Sequence, residues 1–258
     1  MEETAHQIYG DAFYGESYGT RHTKRPPRRG PHHAETVGTG MGGGQEVPTP
    51  VFHATLTGIL LAQLVSQKPF QRLAGFINGM FQSYAPLLHG YYRSTMEALY
   101  DWNPNLPRHF NLFTSVFAAA TFNFGPRTIT FPHLDFANLA WGWCSITALG
   151  LFNPDKGGHL ILWDLRLVIR FPPGSTIFIP SAILRHSNVA IQEGETRYSF
   201  TQFTPAGIFR FLYNGCKTEK SVNERCMTAA EKSQRAQDRV NCWSDGLKMF
   251  STWDVAFE

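Results

Sequence analysis

The chain has 258 residues and a formal net charge of +3. Hydrophobic residues make up 43% of it and charged residues only 17%, with 21 phenylalanines. A chain this apolar and this long is not globally disordered and can bury a substantial core.

Charge is unevenly placed along the chain. Residues 1–16 sum to −4, and residues 17–35 sum to +4 through Arg21, Lys24, Arg25, Arg28 and Arg29 against Glu35. Residues 1–50 are expected to form a basic, Gly/Pro-rich arm. Pro26, Pro27 and Pro31 remove backbone donors there and disfavour a helix. Residues 38–45 read as a flexible glycine loop. Gly38, Gly40 and Gly43 formally match a dinucleotide-binding fingerprint, but Pro48 and Pro50 follow where a helix is needed, so that reading is rejected.

The start is acidic and lacks the apolar run of a signal peptide. The best apolar stretch, residues 56–65, is half the length of roughly twenty that a bilayer span needs. Cys144, Cys216, Cys226 and Cys242 form no Cys-x-x-Cys pair and read as buried or inert thiols. A reducing compartment, cytosol or nucleus, and no membrane partner are expected.

Residues 54–100 predict helices, because Leu56, Ile59, Leu60 and Leu64, then Leu73, Ile77, Met80 and Tyr84, recur at three to four residues. From 114 to 213 short β-rich runs alternate with turn signals. Strands are expected at 128–131, 145–152, 159–164, 167–171, 176–179, 184–186, 198–204 and 208–213. About eight short strands in ninety residues suggest a double-sheet jelly roll or barrel of cupin type. Residues 219–250 return to helical spacing and predict an amphipathic helix on the β core.

One pattern in the β region carries chemistry. His133-Leu-Asp135 places two ligand-type side chains two apart, on the same side of a strand if the strand runs through them. A His from a distant strand would complete a set, and His186, after the 171–181 strand–turn–strand unit, is the natural candidate. His159 is the rival. Two imidazoles and one carboxylate on an octahedral ion leave three adjacent positions open, the facial triad of non-haem Fe(II) oxygenases. The plain reading is three satisfied core polar residues. His33-Ala-Glu35 repeats the spacing in the arm without β context. Arg197, eleven residues past His186, could grip a carboxylate such as the far end of 2-oxoglutarate, or be an exposed strand residue. Arg127 could be a second carboxylate contact or a turn residue after Pro126.

Taken together, the segments 123–138, 157–165, 171–188 and 194–202 resemble the TET/JBP DNA dioxygenases, especially their fungal, transposon-associated branch. Gly42-Gly-Gly-Gln45 before Pro48 and Pro50 is similar too. The resemblance covers roughly residues 38–213. It implies a double-stranded β-helix packed with helices, in a dioxygenase domain over residues 51–258. It implies Fe(II) held by His133, Asp135 and His186, with Arg197 anchoring 2-oxoglutarate. It also implies that Asn138, three after the Asp, faces a flipped base.

The activity implied is oxidation of a methylated base in double-stranded DNA, 5-methylcytosine to 5-hydroxymethylcytosine and beyond, or N6-methyladenine demethylation. A monomer in the nucleus is expected. Arg21, Lys24, Arg25, Arg28 and Arg29 are then candidate phosphate contacts, with a solvated tail or nuclear address as the alternative. A 2-oxoglutarate-dependent protein or small-molecule hydroxylase and a non-catalytic DNA-binding jelly roll are the other functions weighed.

Overall fold

The structure is a computed structural model that describes residues 29–111 and 113–251. Its elements run in order β1 (His33–Gly40), β2 (Thr49–Pro50), α1 (Thr55–Ser66), α2 (Lys68–Tyr84), α3 (Pro86–Trp102), β3 (Ala119–Phe124), β4 (Cys144–Leu151) and β5 (Leu160–Leu162). Then come β6 (Leu167–Ile169), β7 (Thr176–Ile179), β8 (His186–Asn188), β9 (Thr196–Phe203), α4 (Ala206–Tyr213), α5 (Glu219–Glu224) and α6 (Ala229–Leu247). The strands form a six-stranded sheet, β2-β1-β3-β9-β4-β7, and a three-stranded sheet, β6-β5-β8. All named pairings are antiparallel. The sheets stay open, so this is a jelly-roll sandwich and not a closed barrel.

The period of two in a strand divides the large sheet into a polar face and an aromatic face. On β9, Tyr198, Phe200 and Gln202 are buried on one side, while Arg197, Ser199, Thr201 and Phe203 line a cavity on the other. On β3, Thr121 and Asn123 line the same cavity, and Phe122 and Phe124 point away into the core. Those outward rings share one core with side chains of the three N-terminal helices. Phe70 of α2 lies edge-on to Phe122 at 5.0 Å and tilted against Phe200 at 5.6 Å. Phe81 is fully buried among Tyr92, Phe117, Trp143 and Phe178. A second core, including Ala148, Leu160, Leu162, Phe171 and Leu184, fills the space between the sheets.

Several expectations change. Residues 33–40, read as irregular arm and glycine loop, are a strand of the large sheet, paired to β3 from His33↔Phe124 to Gly38↔Ala119. Glycine suits this strand because the backbones nearly touch: at Gly38, φ is +109° and a Cβ would fall 2.2 Å from the Ala118 carbonyl oxygen. Strand β3 is absent from the predicted set. Residues 128–131 are no regular strand but are tied by backbone bonds to Arg197 and Asn188. Residues 208–213, predicted as strand, belong to helix α4. Their β-favouring composition is overridden by packing: Ile208, Phe209 and Phe211 are buried, and Phe209 lies against Tyr91 and Tyr92 of α3.

The C-terminal helix is two helices, the second opened by a capping box of Thr228 and Glu231. Its apolar stripe is largely uncovered, with Val240 77% exposed. All four cysteines are free, but only Cys144 is buried. Among the described residues no helix is long and apolar enough to cross a membrane.

Candidate metal centre

The sequence places His133 and Asp135 just past Pro132, in a segment that runs along the free edge of β8. His133 and His186 exchange both backbone hydrogen bonds at 3.1 Å, which sets their ring centroids 4.3 Å apart. The Asp135 amide donates to the Ser181 carbonyl at 2.9 Å and turns the carboxylate toward both rings. His133 Nε2 is 3.7 Å from Asp135 Oδ1, and His186 Nε2 is 3.9 Å from Asp135 Oδ2. The three residues can offer ligand atoms within 4.8 Å of one another. His159, the rival ligand, is not in this cluster.

The tautomers suit a metal. His133 Nδ1 is 2.8 Å from the Phe131 carbonyl and His186 Nδ1 is 2.9 Å from the Leu184 carbonyl. A carbonyl only accepts, so each Nδ1 carries the proton and each Nε2 presents a lone pair toward Asp135. Burial, and then the neighbouring His186, hold the His133 imidazole below its ordinary value, which favours the neutral, ligating form. With imidazole and carboxylate donors and no thiolate, the set suits a divalent ion with open positions.

The triad lies in a cavity of about 70 Å³ lined also by Arg29, Asn138, Ile146, Leu160, Arg197 and Phe203. Arg197 is 2% exposed, not a surface strand residue. Its Nη1 donates to the Thr128 carbonyl at 3.3 Å, and its Nε has no partner. Burial lowers the guanidinium well below its ordinary value, to about 10. A buried cation at the lining of a cavity, with a donor left unpaired, is the complement of a carboxylate ligand, so the pocket fits a metal and an organic acid together.

The other expected site residues divide. Asn138 lines the cavity, its Nδ2 donating to Ser181 Oγ at 3.0 Å. Arg127 is not there: it is exposed and donates through Nη2 to the Ile191 carbonyl at 3.1 Å. Arg29 is a correction of another kind. Its Nη2 pairs with Asp135 Oδ1 at 2.6 Å, inside the site instead of out toward a phosphate. Arg21, Lys24, Arg25 and Arg28 lie outside the described residues. Sequence reading missed Asn123, Ser199 and Thr201, which line the cavity. The alternation from Arg197 to Thr201, polar at odd positions and aromatic at even ones, was the signal that could have found the last two.

No protein-family model matches the chain, and no curated protein matches it. Solved structures do. NgTET1 in complex with 5mC DNA is 18% identical, with a TM-score of 0.52 over 75% of this chain and 67% of that one. A 2-oxoglutarate complex of the viral collagen prolyl hydroxylase of Paramecium Bursaria Chlorella virus-1 is 16% identical, with a TM-score of 0.27 over 33% and 57%. An oxidoreductase of the 2OG-Fe(II) oxygenase family from Burkholderia pseudomallei is 18% identical, with a TM-score of 0.33 over 70% and 72%. The first likeness shows a shared fold: an antiparallel jelly-roll core with flanking helices.

Proposed function

We propose that this protein is an Fe(II)- and 2-oxoglutarate-dependent dioxygenase, and that its substrate is a methylated base in DNA, 5-methylcytosine first. The observation that carries the oxygenase reading is one cavity holding both the His133–Asp135–His186 cluster and the buried, partly unpartnered Arg197. His133, Asp135 and His186 would hold the iron, and Arg197 the far carboxylate of 2-oxoglutarate. Bound together, iron and 2-oxoglutarate would activate O₂ as the oxidant for hydroxylating a methyl group, with one oxygen atom going to the substrate and the other to succinate as CO₂ leaves. The chain's own part is to orient the reactants and exclude water, with Ile146, Leu160 and Phe203 as apolar walls of the cavity.

The DNA reading is supported by the similarity of fold to a protein solved with 5mC DNA and by the TET/JBP resemblance of the motifs. A base must leave the duplex to enter such a cavity. Asn138, at its lining, carries an amide able to donate and accept at a base edge. The cations at 21, 24, 25 and 28 supply phosphate contacts, and the protein works in the nucleus as a monomer.

The test is incubation of the full chain with Fe(II), 2-oxoglutarate and duplexes carrying 5-methylcytosine or N6-methyladenine, read by nucleoside mass spectrometry. Oxidised 5-methylcytosine is expected, with N6-methyladenine demethylation as a weaker activity. Turnover of 2-oxoglutarate with no change in either base would sink the DNA reading and point to a protein or small-molecule hydroxylase. Loss of neither base and no turnover would sink the enzyme.

A further inference from the structure

We propose that Arg29 is a positioning residue of the metal centre, holding Asp135 to ligation through a single oxygen. This rests on the oxygenase reading above. Arg29 lies 106 positions before Asp135, yet its backbone is fastened to the wall from which His133 emerges. The Phe131 amide donates to the Arg29 carbonyl at 2.7 Å. Gly30, at φ +153°, passes so close to Ile129 that a Cβ there would lie 1.9 Å from its carbonyl oxygen. His32 is 2.9 Å from the Ile129 carbonyl through Nδ1 and 3.3 Å from Asn123 Oδ1 through Nε2. These contacts at residues 29, 30 and 32 deliver the guanidinium, itself half-exposed, to a carboxylate that is only 12% exposed.

The consequence is in the coordination arithmetic. A six-coordinate ion on two imidazoles and one carboxylate oxygen keeps three positions open. Two of these would be taken by a chelating 2-oxo acid and one would stay open. If Asp135 chelated through both oxygens, only two would remain, and the chelating acid would fill them. Arg29 engages Oδ1, the oxygen nearer His133, and leaves Oδ2, nearer His186, to the ion. The pair is charge-assisted, which suits it to compete for one oxygen without displacing the carboxylate from the metal.

The experiment counts water on the bound ion. The full chain is loaded with Mn(II), and line broadening of its electron paramagnetic resonance in ¹⁷O-enriched water reports the number of exchangeable waters. Three are expected for the native protein, two for Arg29→Ala, and three again for Arg29→Lys, which restores one cation on Oδ1. A merely structural role would not move this count. Equal counts in the native protein and Arg29→Ala overturn the proposal. Addition of 2-oxoglutarate to the native sample should remove two waters. If it removes none, the cofactor reading fails, while the comparison of native and Arg29→Ala counts still judges Arg29.

Discussion

Arg197→Met separates stability from function in a single substitution. Burial holds the guanidinium at about 10, well below its ordinary value. At about 1.36 kcal/mol per pH unit, that difference corresponds to roughly 3 kcal/mol of unfavourable free energy for keeping the cation in the folded chain at neutral pH. The sign follows from the chemistry. A base with a lowered folded value is less protonated in the folded state than in the unfolded one, so its cost is fully present below about 10 and is relieved as pH rises above that toward the ordinary arginine value. A carboxylate in the pocket relieves it at any pH. Methionine removes the charge and keeps an apolar stem of comparable reach. The metal-free variant should therefore be as stable as the native chain or more so, by up to about 3 kcal/mol, or roughly 6–12 °C in Tm for a domain of this size. It should also be blind to 2-oxoglutarate. With Mn(II) present and ligand at a hundred times Kd, the native protein should gain about 2.7 kcal/mol, and Arg197→Met nothing. Differential scanning calorimetry with and without ligand reads both effects. A variant that melts below the native apo protein, or that gains as much from 2-oxoglutarate, refutes the reasoning.

Three further outcomes are expected. His133→Ala, and chelation of metal from the native protein, should each abolish 2-oxoglutarate turnover; residual turnover above a few per cent of native would remove His133 from the ligand set. Phe81→Ala empties a site ringed by four aromatic side chains and should cost about 3–5 kcal/mol in urea denaturation; a loss under about 1 kcal/mol would show that the helical layer is packed otherwise. Removing residues 1–28 takes away Arg21, Lys24, Arg25 and Arg28. DNA affinity should fall and its slope on log salt should flatten by about 0.9 for each phosphate that these cations neutralise, while 2-oxoglutarate affinity stays unchanged; an unaltered slope would make the arm a bystander.

The candidate triad was legible in part: His133 and Asp135 by residue type and spacing, His186 by its place after a strand–turn–strand unit, and the three as a set through the TET/JBP resemblance. Arg197 was legible as a candidate, but its burial was not: an arginine in a strand has no local mark that says it faces inward. Arg29 was read with its basic neighbours as a phosphate contact, since only the close approach at Gly30 to Ile129, a pairing across about a hundred residues, turns it into the site. Residues 33–40 failed for the same reason. Glycine there reads as flexibility, whereas it answers to the Ala118 carbonyl lying against it. Residues 208–213 failed because β-branched and aromatic composition is a weak prior that the packing of Ile208 and Phe209 overrides.

The alternation along β9 shows why pocket and core cannot vary independently. Arg197, Ser199 and Thr201 are placed at the cavity by the same register that sends Tyr198 and Phe200 into apolar surroundings. A slip of one residue would exchange the faces, carrying Phe200 into the pocket and Arg197 toward Phe70 and Phe122. The register is held from both sides, to β3 over Ala119↔Phe203 through Asn123↔Ser199 and to β4 over Ser145↔Gln202 through Leu151↔Thr196. The slip would bury the guanidinium in the aromatic layer with no anion within reach, at a cost of several kcal/mol. The charge that makes the cavity useful thus also penalises the wrong register, and the rings of α2 that pack on the opposite face hold the guanidinium where a carboxylate can meet it.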